Sequence, residues 1–128
     1  MKKLLFTLAI TFLSIGFTKA QDKFRADFNL VAFYNSETDS WSEWEYAEHT
    51  LVFNYNSNKD VVHYTANGQI ITYRNMGNKD DGYTNGNHYQ IIDVIDDEGN
   101  YIQIQLFDNA EIGMKLILGK QLIQFSKG

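Results

Sequence analysis

Residues 91–106 read IIDVIDDEGNYIQIQL, and the way this stretch folds back on itself decides the fold class. Apolar and polar residues alternate on both sides of an Asp-Glu-Gly cluster, the period of a half-buried strand. A two-residue loop at Glu98-Gly99 would set Asp93 opposite Ile104 on the apolar face, where a carboxylate is costly. A three-residue loop Asp97-Glu98-Gly99, with Gly99 left-handed as a bulge, shifts the pairing by one. Val94 then faces Ile102, Ile92 faces Ile104, and Asp93 meets Gln103 on the outer face. A one-residue slip exchanges the two faces of a strand, and only this choice buries the aliphatic set.

Other stretches read the same way. Phe24, Ala26, Phe28, Leu30 and Ala32 alternate with Arg25, Asp27 and Asn29; Leu51, Phe53 and Tyr55 alternate with Val52 and Asn54. Asn67-Gly68 has the composition of a type I′ turn. A two-residue loop there pairs Tyr64 with Ile71, His63 with Thr72 and Val62 with Tyr73, placing His63 on the polar face. Gly119-Lys120 reads as a Gly-first type II′ turn that pairs Leu116 with Ile123 and Met114 with Phe125.

The spacing predicts eight strands, near 24–34, 49–55, 60–66, 69–75, 87–96, 100–107, 112–118 and 121–126. Tight turns join most neighbours, so the fold class is all-β, an antiparallel up-and-down meander. The chain has no proline to blunt exposed strand edges, and closure into a small closed or partly open barrel removes the edges most simply. A β-sandwich is the alternative. Inward-facing candidates are Phe28, Leu30, Phe53, Val62, Tyr64, Tyr73, Ile92, Ile104, Leu106, Met114, Leu116 and Phe125. Tyr64 and Tyr73 are the two whose hydroxyls could orient a ligand in the interior. The connections 35–48 and 76–86 exceed what a hairpin needs, and functional contacts concentrate on such loops.

Working outward to the N-terminus, Met1-Lys2-Lys3 is a positive head and Leu4–Phe17 an apolar run, followed by Thr18-Lys19-Ala20. This is the layout of a signal peptide cut after Ala20, leaving residues 21–128 as a single all-β domain. The run is too short to span about 30 Å of hydrocarbon, so no membrane insertion is expected after cleavage. The expected location is exported, periplasmic or extracellular. Net charge over the whole chain is −5; loss of Lys2, Lys3 and Lys19 leaves eight basic against sixteen acidic residues, a net of −8. Such a balance disfavours phosphate backbones and anionic lipid, so nucleic acid is not expected as a partner. With no cysteine anywhere, disulfides, thiol nucleophiles and thiolate metal sites are excluded together.

The densest local feature is Trp41-Ser42-Glu43-Trp44-Glu45-Tyr46. Two indoles and a phenol among carboxylates suit a protein-binding hot spot or a sugar platform; packing of the tryptophans as a cap on one barrel end is the alternative. Tyr83, in the second long connection, joins Trp41, Glu43, Trp44, Glu45 and Tyr46 as a binding candidate. His49, His63 and His88 are too dispersed for H-x-H or H-E-x-x-H spacing. A calcium loop starting at Asp81 would put Tyr83 and Ile92 where oxygen ligands belong. No serine sits in G-x-S-x-G. No catalytic residue, metal or cofactor is therefore assigned, and the chain is not expected to be an enzyme.

The W-S-x-W segment, with short strands ending in a hairpin at Glu111–Ser126, resembles a group of small exported bacterial β-proteins. That resemblance implies a fold and no activity. By architecture alone the eight-strand meander is similar to lipocalin-like and streptavidin-like barrels. The leading functional expectation is a non-catalytic module that engages an unknown protein partner through loops 35–48 and 76–86. A barrel holding a small apolar ligand is the alternative, and a glycan-binding or glycan-hydrolysing protein the third.

Overall fold

A computed structural model describes residues 22–128; the expected signal peptide lies outside the described residues. Nine antiparallel strands follow in order: β1 (Phe24–Asn35), β2 (Ser40–Trp41), β3 (Glu45–Phe53), β4 (Val61–Tyr64), β5 (Ile70–Thr84), β6 (Asn87–Ile95), β7 (Tyr101–Phe107), β8 (Met114–Leu118) and β9 (Gln121–Ser126). From β3 onward each strand pairs with the next, and β1 pairs with both β3 and β9. The sheet is thereby a closed eight-strand barrel, with β2 as one extra short strand on β1. Closure pairs most strands on both edges, which is how a chain without proline protects its ladder; the projecting part of β5, from Lys79 to Thr84, pairs with β6 alone.

Two of the three turns read from sequence form as expected. Asp96 N–H and Gly99 N–H close the bulged loop on Asn100 and Asp96 carbonyls at 3.0 and 3.1 Å, and Val94 faces Ile102 while Ile92 faces Ile104. Gly119, at φ 60°, opens the last hairpin, with Leu116 opposite Ile123 and Met114 opposite Phe125.

The third turn differs. Thr65 N–H donates to the Gln69 carbonyl and Gly68 N–H to the Thr65 carbonyl, so Ala66-Asn67-Gly68 is a three-residue loop with Gly68 at φ 90°. The Thr65 hydroxyl stabilises it, accepting from Gln69 N–H at 2.9 Å. Pairing slips by one: Val61 faces Tyr73, His63 faces Ile71 and Tyr64 faces Ile70. His63, expected on the polar face, is therefore inside, and Tyr64, expected inside, points out and is exposed. Val62 also moves to the outer face, since Val61 and His63 take the inner one.

The two-residue turn with both central residues at positive φ occurs instead at Asn85-Gly86, φ 51° and 80°, between the paired Thr84 and Asn87. The expected loop 76–86 is thus mostly strand: β5 continues to Thr84 through a bulge between Asn75 and Lys79. Half of 35–48 is strand as well: β2 folds back on Tyr34 and Asn35, and β3 begins at Glu45. A second bulge, between Phe28 and Leu30, resets the facing of β1. Phe28 and then Val31 join the core while Leu30, expected inward, does not.

Following the chain direction through each hairpin places the turns 54–60, 85–86 and 108–113 at one end. The turns 36–39, 65–69, 96–100 and 119–120 lie at the other. The first end is filled by Leu51, Phe53, Val61, Ile92, Ile104 and Met114, all buried, with Phe24 stacked on Phe53 at 4.9 Å. Asp60 ties this end together: its carboxylate accepts the Asn75 N–H at 2.9 Å and the Asn56 amide at 3.0 Å. The second end is not filled.

Candidate functional site

The unfilled end holds a cavity of about 550 Å³. Its wall is the inward face of the strands that the slips and bulges define: Val31 and Phe33 from β1, Ile71 from β5, Ile102 from β7, Leu116 and Leu118 from β8, and Ile123 and Phe125 from β9. At the rim stand Gln69 from the β4–β5 turn and Asp96, Asp97 and Glu98 from the β6–β7 turn. Among the described residues no lysine or arginine lines it.

Between this cavity and the filled end lies one polar layer. His49 Nδ1 is 2.9 Å from His63 Nε2, and His63 Nδ1 is 2.8 Å from the Tyr73 hydroxyl. The three groups come from β3, β4 and β5, adjacent strands, and all three line the cavity. Phe125 packs across the row, its ring 4.8 Å from that of His49 and edge-on to His63 at 5.6 Å. His63 and Tyr73 are each only 3% exposed. Buried polar groups are tolerated when hydrogen-bonded to one another, and here the row satisfies both ring nitrogens of His63.

Burial sets the electrostatics. Desolvation, with the neighbouring His49 adding, pushes the His63 imidazole down to about 4, and burial lowers His49 as well. The Tyr73 hydroxyl is pushed up by burial and by the rim carboxylates Asp96 and Asp97. All three groups are consequently neutral at pH 7, and two proton arrangements satisfy the row. In one, Tyr73 donates to His63 and His63 to His49. In the other, His49 donates to His63, His63 donates to the Tyr73 oxygen, and the Tyr73 O–H is free to donate into the cavity.

The aromatic segment lies elsewhere. Trp41 sits on β2 beside Tyr34, ring centroids 5.4 Å apart, with Lys115 Nζ 5.8 Å from its ring. Trp41, Glu43, Trp44, Glu45 and Tyr46 are all exposed, Tyr46 at 71%, so neither tryptophan is a buried cap. The Tyr46 hydroxyl donates to Glu48. Tyr83 is 73% exposed near the tip of the β5–β6 hairpin, at the opposite end of the barrel. The candidate residues therefore do not form one surface. Beside Tyr83, His88 is held between Asp108 at 2.9 Å and Asp81 at 3.2 Å.

Of the interior candidates read from sequence, Tyr73 reaches the cavity and Tyr64 does not. His49 and His63 were missed. The signal was present, because Asp97-Glu98-Gly99 and Ala66-Asn67-Gly68 form the same bulged loop, but alternation favours Tyr64 over a histidine at the inward position. No protein-family model, curated protein or solved structure matches the chain, so the reading of the site rests on its own geometry.

Proposed function

We propose that the protein is a small-molecule-binding barrel whose half-open interior takes a compact, largely apolar ligand. One observation carries this reading: a cavity of about 550 Å³, walled by aliphatic and aromatic side chains and floored by a single hydrogen-bonded row. Ligand sites are typically about 300–1,000 Å³, mostly apolar, with a few convergent polar groups. Eight-strand barrels are wide enough either to fill with side chains or to hold one small ligand; this one does the first at one end and leaves room for the second at the other. The test is a fluorescence titration with the neutral apolar dye N-phenyl-1-naphthylamine. Saturable, blue-shifted emission that is lost when Leu118→Trp fills the cavity supports the reading. Dye binding that ignores Leu118→Trp in a folded variant overturns it.

A second reading, a protein partner, is favoured by the adjacent exposure of Trp41, Trp44 and Tyr46, since such aromatics anchor protein interfaces. It makes a separate demand: Trp41→Ala with Trp44→Ala abolishes partner binding and leaves dye binding unchanged.

A further inference from the structure

Resting on the cavity as a ligand site, we infer that its ligand is a neutral molecule bearing one hydroxyl or carbonyl oxygen, which completes the open end of the hydrogen-bonded row at Tyr73. The row His49–His63–Tyr73 has a closed middle and two open ends. Both nitrogens of His63 are used. Among the described residues the Tyr73 hydroxyl meets only His63, and His49 Nε2 meets no side chain or backbone partner. A phenolic hydroxyl both donates and accepts, so Tyr73 retains one unmet role in either proton arrangement. It lines the cavity while nearly fully buried, where an unmet hydrogen bond is expensive.

The same geometry selects the charge of the ligand. A carboxylate or phosphate inside the barrel would find no cation among the described residues, because no lysine or arginine of theirs lines the cavity. To enter it would also pass Asp97 and Glu98 at the rim. The Asp96 carboxylate is already spent on its own turn, accepting from the Glu98 and Asn100 backbone and from the Asn100 amide, which leaves the rim as a repulsive edge and not a cation cradle. A neutral alcohol or ketone suits both observations. Because the row reverses by moving its protons, it serves either: Tyr73 donates to a carbonyl, or accepts from a hydroxyl.

The experiment displaces N-phenyl-1-naphthylamine with probes of one chain length: octan-1-ol, octan-2-one, octane and octanoate, on the native protein and on Tyr73→Phe. Tyr73→Phe weakens the alcohol and the ketone about 3- to 10-fold, the worth of one hydrogen bond, and changes octane less than twofold. Octanoate binds at least about tenfold more weakly than octan-1-ol. Equal effects of Tyr73→Phe on octane and octan-1-ol, or octanoate as the tightest probe, overturn the inference while dye binding still upholds the cavity. Failure of the dye itself removes both. A measurement that needs no variant accompanies this: the Tyr73 Cζ resonance shifts on adding octan-2-one and not on adding octane, and identical responses count against the inference.

Discussion

The Tyr73 hydroxyl stands 2.8 Å from His63 Nδ1, and this contact joins two neighbouring strands through the inside of the barrel. It exists because the β4–β5 loop has three residues and turns His63 inward. The polar layer depends on that turn, because it sets His63 between His49 and Tyr73.

Burial of His63 makes stability depend on pH with a defined sign. His63 binds its proton at about 4 in the folded barrel and at 6.5 when free, so below 6.5 the unfolded chain takes up protons that the folded one refuses. Stability is full above 6.5 and falls as pH drops toward 4, by roughly 3 kcal/mol for a gap of this size. His49, lowered in the same direction, adds to the slope. Urea denaturation at pH 7.5 and pH 4.5 measures it, and His63→Phe flattens the difference. At pH 7.5 that variant is itself less stable by about 1–3 kcal/mol, because Tyr73 and His49 lose a partner in a buried place.

His88 titrates in the opposite direction. Hydrogen bonds that its ring nitrogens donate to Asp81 and Asp108 favour its charged form and raise its pKa above 6.5. Its contribution to stability is present below 6.5 and is lost as pH rises through the folded value. NMR of the imidazole carbons should give a midpoint above 6.5 in the native protein, moving down in Asp81→Asn and Asp108→Asn.

Glycine substitutions separate strain from collision. Gly113 has φ 83°, and a Cβ there would lie 1.8 Å from the Phe125 carbonyl oxygen on β9. Gly113→Ala must break the approach of the β7–β8 turn to β9 and costs roughly 3 kcal/mol or more. Gly68, at φ 90°, has open space around its missing Cβ, so Gly68→Ala pays only the left-handed conformation, about 1 kcal/mol. Thermal and urea unfolding of the two variants side by side check the contrast.

The buried carboxylate of Asp60 is a structural knot. It receives the Asn75 N–H where β5 enters its bulge and the Asn56 amide from the preceding turn. Asp60→Ala leaves the Asn75 donor unpaired and lowers stability by about 1–3 kcal/mol. Faster amide exchange at Asn75 is the accompanying signature.

Much of the barrel was legible because alternation and turn chemistry agreed. Residues 91–106 and the Gly119 hairpin place apolar residues at their paired core positions, Ile92 with Ile104, Val94 with Ile102, Leu116 with Ile123 and Met114 with Phe125, so only one register buries them. Around Asn67-Gly68 the same argument fails. Val61 and Val62 are both apolar, and choosing between Tyr64 and His63 by hydrophobicity selects the tyrosine. The winning register buries an imidazole, which is affordable only because His49 and Tyr73 arrive from two other strands. Pairwise satisfaction of that kind is a tertiary property, invisible to a period-two reading. Asn85-Gly86 was hidden for a different reason: Lys79, Asp80 and Asp81 precede it without an apolar alternation, so the projecting part of β5 reads as loop. The bulge between Phe28 and Leu30 left no compositional mark at all.

The central claim is that the barrel has one hollow end. Methyl-resolved NMR during titration with octan-1-ol tests it most directly. The account predicts saturable shifts at the cavity-lining methyls of Ile71, Ile102, Ile123 and Leu116, with Ile91 and Ile117, whose side chains lie on the outer face, unmoved. Shifts of similar size at Ile91 and Ile117, or none at the cavity methyls up to the solubility limit of the alcohol, would contradict it.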